Sequence, residues 1–182
     1  PQVVQLFVLG VGLLLKPFNI NTLVSWLYSP IHPISGLLRY QLGDTVCGSG
    51  GFFNENCREV IDNYIKEHPD EKDLINKFLP NQADYIGEEH SVDRGRIIVM
   101  VESLKSWANQ RAILLTEENE GDVRIEQLYA LAEMCDMLML LLEDEKEDAI
   151  DIEMLDSMMS NIYKEVSFSQ YQPQAGCRFC ID

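Results

Sequence analysis

The sequence predicts an all-α protein, a helical bundle of about six to seven helices whose last three are long and antiparallel. Apolar residues recur in steps of three and four along most of the chain beyond residue 55, which is the spacing of amphipathic helices. Alternating Val, Ile and Thr bounded by hairpin turns is absent, so few strands are expected. With 182 residues and 46% hydrophobic residues, the chain is long enough for one domain around a single core.

Charge divides the chain more clearly than any motif. Residues 1–43 contain no Asp or Glu and only two basic residues, Lys16 and Arg39, although the whole chain carries a net charge of −16. We call residues 1–43 the acid-free segment. We expect three further regions: a Gly-rich loop at 44–54, an acidic helical bundle at 55–166 and a C-terminal tail at 167–182.

The acid-free segment is expected to form two short helices. The apolar run at 3–15 predicts the first, and Pro17 should end it because proline interrupts the helical hydrogen bonds. Asn21 is placed to cap the second, which Pro30 should stop.

Three interpretations of this segment follow. The favoured one is a pair of core helices buried within the bundle. A second is a docking surface for a partner protein, with Trp26 and Tyr28 as the contacting side chains. The third is membrane contact through residues 1–40, which the shortness of the apolar run opposes because a spanning helix needs about 20 residues.

The acidic bundle begins with two modest helices. One enters near Asn54 or Asn56 and ends at His68, before Pro69. The next should be capped by Asp70 and stopped by Pro80.

Three long amphipathic helices are expected to follow. They are marked by apolar stripes from Ile97 to Leu115, from Ile125 to Leu142 and from Ile152 to Val166. The connections at 116–122 and 144–147 are short, so neighbouring helices should fold back antiparallel.

Five cysteines suggest one kind of site. Cys177 and Cys180 form a CxxC motif, whose spacing suits a metal ion or a redox dithiol. Cys47 and Cys57 would have to complete a four-cysteine zinc site, and zinc is the one cofactor that the sequence suggests. A disulfide between Cys47 and Cys57 is an alternative. Free thiols are favoured over both. The cysteine count leaves the redox compartment open, and Cys135, which falls in a predicted helix core as a small hydrophobic residue, favours a reducing compartment such as the cytoplasm.

A weak calcium motif lies between the first two long helices. Glu118, Glu120 and Asp122 occupy a segment that resembles a degenerate EF-hand loop. The segment begins at Thr116 and ends at Gln127, where the motif has Asp and Glu, so two strong oxygen ligands are missing. We expect a solvated acidic connection here rather than a calcium site.

Methionines gather on the last two helices. Met139 and Met159 fit the apolar stripes and are expected in the core. Met137 and Met158 lie off the stripes, so we predict that they contact a partner or an apolar ligand, because methionine suits adaptable binding surfaces.

The charge and the motifs bound the function. A strongly acidic chain with scattered basic residues does not favour nucleic acid, which is bound through Lys and Arg. Neither a phosphate loop nor a zinc-protease motif nor a dinucleotide fingerprint occurs, so no reaction is predicted.

We expect a non-catalytic protein that binds a protein partner, of basic character, through the acid-free segment and the acidic surface. Self-association into a homo-oligomer stays open. The alternatives are a bundle that binds a hydrophobic small molecule or lipid, and a cysteine-dependent metal or redox site.

Overall fold

The computed structural model describes residues 2–87, 90–119 and 121–170, with side chains described up to residue 166. The structure is 75% helical, with eight helices and one small two-stranded sheet, which confirms the predicted all-α bundle. The count exceeds the expected six to seven because the sequence analysis did not foresee a helix after Pro33.

The first two helices are α1 (Gln2–Gly12) and α2 (Ile20–Leu27). Asn19, rather than the predicted Asn21, caps α2. Its side-chain oxygen accepts the N–H of Asn21 at 2.9 Å and that of Thr22 at 3.2 Å. Asn19 has the extended backbone that a capping residue requires, whereas Asn21 already lies within the helix.

The unforeseen helix is α3 (Gly36–Ser49), which extends into the region predicted as a Gly-rich loop. That prediction is wrong for residues 44–49. The helix ends at Gly50, which has φ of 71° and donates its N–H to the carbonyl of Val46 at 3.1 Å. Glycine adopts this left-handed conformation readily, so the glycines terminate the helix instead of preventing it.

Two shorter helices lead to the long ones. As predicted, Asn54 caps α4 (Glu55–Glu67). A 3-10 turn at Pro69–Glu71 then precedes α5 (Lys72–Phe78), which ends before Pro80. Asp70 lies inside this turn and does not cap α5, so that prediction is wrong.

The long helices are α6 (Arg94–Glu118), α7 (Val123–Glu143) and α8 (Ile152–Gln170). The Lys105 ammonium pairs with the Asp136 carboxylate halfway along α6 and α7, which shows that these two helices run antiparallel. Helix α8 then folds back along α7.

A small antiparallel sheet joins the segment before α6 to the segment before α8. Strand β1 (Ser91–Asp93) pairs with β2 (Ala149–Asp151), and Val92 lies opposite Ile150 with both side chains buried. Strands of three residues are too short to show an alternating pattern, so the sequence did not reveal them.

The core is built around the acid-free segment. Helix α1 packs against α2, α6 and α7. The acid-free segment supplies seven large apolar side chains with no more than 1% exposure: Leu6, Phe7, Leu23, Trp26, Leu27, Leu38 and Leu42. The interpretation of its helices as core helices is therefore confirmed.

Candidate functional site

Trp26, predicted as a partner contact, is fully buried, so that prediction is wrong. Helical spacing places it on the same inward face of α2 as Leu23 and Leu27. Its ring lies 4.1 Å from the imidazole of His32 and 6.3 Å from the ring of Phe78, measured between centroids. Trp26 therefore stabilises the core and offers nothing to a partner.

A buried polar cluster closes the connection between α2 and α3. The Arg39 guanidinium donates to the carbonyls of Leu27, of Ser29 at 2.8 Å and of Ile34 at 3.0 Å. His32 accepts the N–H of Ile34 through Nδ1 at 2.9 Å. Burial, followed by the charge of Arg39, lowers the pKa of His32 to about 2. The imidazole is neutral at neutral pH, and the cluster holds the chain in place rather than performing chemistry.

Tyr28, the other predicted contact of the acid-free segment, remains accessible with 41% exposure. Its hydroxyl donates to the Asp44 carboxylate at 3.3 Å, and its ring centroid lies 5.7 Å from that of Tyr40. Leu37 and Tyr40 are each 57% exposed on α3. Tyr28 is thus accessible to a partner, next to the exposed ring of Tyr40.

The predicted cysteine site is not assembled within the described residues. Cys47 is exposed and Cys57 is buried, and both are free thiols. Burial raises the pKa of the Cys57 thiol, which makes it a poor nucleophile and a poor ligand in this position. Cys177 and Cys180 lie outside the described residues. In the part of the chain that the structure describes, no group of three His, Cys, Asp or Glu side chains could hold a metal ion.

The predicted calcium ligands have other roles where they are described. Glu118 ends α6, and Glu120 lies outside the described residues. Asp122 caps α7 by accepting the N–H of Arg124 at 2.9 Å, and its carboxylate also pairs with the Arg124 guanidinium. These hydrogen bonds lower the pKa of Asp122 to about 2. The carboxylate is occupied by its own helix, so the EF-hand resemblance does not extend to the geometry.

The two methionines that were predicted to lie off the core differ in their exposure to solvent. Met158 is only 8% exposed, so its prediction as a contact residue is wrong. The inward stripe of α8 runs through Leu155, Met158 and Ile162, which moves Met159 to a half-buried position. Met137 lies where a partner or ligand contact was expected, at the wall of an open groove.

This groove separates α7 from α8 and has a volume of about 580 Å³. We call it the α7–α8 groove. It is lined by Met137, Leu140, Leu141, Asn161, Ile162, Lys164 and Glu165. Leu140 is 64% exposed and Leu141 is 37% exposed, so two neighbouring leucines in the last turn of α7 are left in contact with solvent.

Leu140 and Leu141 were not among the predicted contact residues, although the sequence contains a signal for them. Residues 137–142 are six consecutive apolar residues in α7. One inward face accommodates only about half of such a run, because helical positions rotate by about 100° per residue. Leu138 and Leu142 are buried, so the intervening apolar residues must face elsewhere.

A strongly acidic stretch follows the α7 wall of the groove along the chain. The stretch 143–156 contains eight acidic residues and one basic residue, Lys146. It begins two residues after Leu141 and continues through the connection and β2 into the start of α8. The apolar wall on α7 is therefore followed directly by a strongly negative segment.

A second concave site, which shares no lining residue with the groove, lies where the end of α1 meets α5 and the start of α6. We call it the α1–α6 cleft, and its volume is about 510 Å³. Its floor and walls include Leu13, Leu14, Phe78, Val99 and Met100, and its polar lining includes Asn76, Lys77, Asn81, Asp84, Tyr85, Asp93 and Arg96. No local pattern in the sequence predicts this cleft, because its residues come from four separate segments.

Within the described residues, none of the helices has the length and apolar character needed to cross a membrane. Comparisons with protein-family models, with curated proteins and with solved structures find no match for this chain.

Proposed function

We propose that this protein is a non-catalytic binding module that holds a basic amphipathic helix of a partner protein in the α7–α8 groove. The observation that carries the proposal is Leu140, an apolar side chain 64% exposed on the wall of a groove whose α7 side runs directly into an acidic stretch of the chain. The buried face of the acid-free segment is no longer part of the proposed contact, because its apolar side chains lie in the core.

The apolar walls suit a helix better than an extended strand. Met137, Leu140 and Leu141 lie at spacings of three and four on α7, and Ile162 faces them from α8. An amphipathic helix laid in such a groove inserts residues at the same spacings. An added strand would instead need a free sheet edge to pair with.

The negative charge of the acidic stretch favours a basic partner over an acidic one. The acidic stretch at 143–156 begins two residues after Leu141, and Glu165 contributes a carboxylate to the lining of the groove, where Lys164 is the one cation among the described residues. A partner helix with Lys or Arg near one end would be attracted and oriented, and its association would slow as salt is raised. An acidic partner would be repelled.

A matched set of synthetic peptides tests this proposal. The probe is a helical peptide of leucine and lysine with leucines at i, i+3, i+4 and i+7. One control has the same composition in scrambled order, and another has glutamate in place of lysine. Binding of each fluorescently labelled peptide to the full chain is measured by anisotropy at low and high salt. We expect the ordered leucine and lysine peptide to bind most tightly.

Leu140→Glu separates groove binding from general attraction between opposite charges. The substitution adds a negative charge, so general attraction would make the basic peptide bind more tightly. Insertion in the groove would instead weaken binding by about tenfold, because an apolar contact is lost. Ile113→Glu, at a position 54% exposed on α6 and away from the groove, is the matched control. Equal or tighter binding by Leu140→Glu would overturn the proposal.

A further inference from the structure

We infer that the α1–α6 cleft binds a small amphipathic anion, an apolar chain that ends in a carboxylate. The cleft does not overlap the α7–α8 groove, so this inference stands or falls independently of the proposed function. Its volume of about 510 Å³ lies within the range of small-molecule sites in proteins.

The apolar part of the cleft is ready for a hydrocarbon chain. Leu13 and Leu14 at the end of α1, Phe78 of α5 and Met100 of α6 form a floor of buried side chains. Val99 stands on the wall and is 55% exposed. A chain laid along this floor would cover Val99, which the described residues leave in contact with solvent.

Arg96 provides a fixed cation on the lining. Its Nη1 donates to the Asp84 carbonyl at 2.8 Å, its Nη2 lies 3.5 Å from an Asp84 carboxylate oxygen, and its guanidinium carbon is 5.5 Å from the centroid of the Tyr85 ring. A guanidinium has five N–H donors, so these contacts leave donors for a ligand carboxylate. The ring and the carbonyl hold the group in position, which lowers the entropy lost on binding.

Lys77 supplies a second cation. It lines the cleft from α5, and its ammonium makes no hydrogen bond or ion pair with the residues that the structure describes. Two carboxylates also line the cleft, and both are engaged. Asp84 pairs with Arg96, and Asp93 accepts the backbone N–H of Arg96 at 2.9 Å as the cap of α6. Lys77 is therefore the cation of this lining that has no carboxylate partner among the described residues, and it can pair with a ligand carboxylate.

Isothermal titration of the full chain with three probes of equal chain length tests the inference. Sodium dodecanoate carries an anionic head, dodecanol a neutral one and dodecylammonium a cationic one, each used below the concentration at which it forms micelles. We expect saturable binding of one dodecanoate per chain and weaker binding of the other two. Absence of saturable dodecanoate binding, or equal affinity for all three heads, would overturn the inference.

Three variants locate the site. Val99→Glu places a carboxylate on the apolar wall and should abolish dodecanoate binding. Lys77→Gln should weaken dodecanoate about tenfold and leave dodecanol unchanged, because the charge of Lys77 acts on the anionic head alone. Ile113→Glu, also exposed on α6 but outside the cleft, should bind as the unmodified chain does.

All three side chains are exposed, so folding should survive, and far-UV circular dichroism checks this for each variant. If Val99→Glu is unfolded, Lys77→Gln and the comparison of the three heads carry the test. Dodecanoate binding that is unchanged in a folded Val99→Glu variant would place the ligand elsewhere and refute the inference.

Discussion

The acid-free segment and helix α7 are both rich in apolar residues, but they place those residues differently. In the acid-free segment the large apolar side chains of α1 and α2 mostly point inward, and the helices pack against α6 and α7. In α7 the apolar run at 137–142 exceeds what one inward face holds, and Leu140 and Leu141 are left at the surface. The absence of charge marks the centre of this fold, whereas an apolar excess within an acidic helix marks its candidate binding surface.

The two regions also differ in the partners and the burial of their basic side chains. Arg39 in the acid-free segment is 8% exposed and is held by three backbone carbonyls, and none of the described carboxylates pairs with it. Lys105 in the acidic region pairs with Asp136, and 35% of its side chain is exposed to solvent. The hydrogen bonds of Arg39 fix the buried connection between α2 and α3. The ion pair of Lys105 lies at the solvent-exposed side of α6 and α7.

One pair of identical substitutions gives the largest contrast between the regions. Leu27→Ala removes a fully buried side chain from α2 and should lower the free energy of unfolding by about 2 to 5 kcal/mol. Leu140→Ala removes a side chain that is mostly in solvent and should change it by no more than about 0.5 kcal/mol. Urea unfolding followed by circular dichroism measures both.

The control for that pair is Leu138→Ala, a fully buried position on α7 itself. It should behave like Leu27→Ala, since burial rather than region decides the loss. A large loss for Leu140→Ala would show that the α7–α8 groove is part of the packed core and would remove the contrast.

Acid should act on the acid-free segment through His32. Its pKa is 6.5 in an unfolded chain and about 2 in the folded one, so below about pH 6.5 the unfolded state takes up a proton that the folded state does not. The contribution of His32 to stability is therefore fully present above that pH and is lost as the pH falls. Between about pH 7 and pH 5 the loss should be about 2 kcal/mol.

His32→Asn isolates this effect. The Asn side-chain oxygen can accept the N–H of Ile34 in place of Nδ1, and it does not titrate. The variant should lose less stability than the unmodified chain between these two pH values, whatever its absolute stability, because the carboxylates are common to both proteins. Parallel curves of unfolding free energy against pH would mean that His32 is protonated in the folded state.

The sequence predicted the long helices well because their physics is local. Apolar side chains at Ile97, Val101 and Leu104 repeat with the helical period, and each is buried. The short elements were not predictable in the same way. Helix α3 mixes glycine and polar residues with its apolar positions, and the strands pair residues 91–93 with 149–151, a partnership that no local pattern reveals.

The candidate sites also differ in whether a local sequence pattern or tertiary packing determines them. Met137 lines the α7–α8 groove, and its departure from the apolar stripe is visible in the sequence, while its contact with a partner or ligand stays a prediction. Met158 was misjudged because the register of α8 against α7 differs by one position from the assumed stripe, and that register is set by packing. The α1–α6 cleft was out of reach, because Leu13, Lys77 and Arg96 meet only when α1, α5 and α6 are assembled.

The smallest expected effect concerns the ion pair between Lys105 and Asp136. Both side chains are more than one third exposed, so solvent and salt screen their attraction, and the pair should contribute about 0.2 to 1 kcal/mol. A double-mutant cycle with Lys105→Gln and Asp136→Asn, measured by urea unfolding at low and high salt, gives the coupling energy between the two groups. The coupling should shrink as salt is added. A coupling of several kcal/mol that salt leaves unchanged would mean that the pair is shielded from water, and the acidic region would then hold its cations as the acid-free segment holds Arg39.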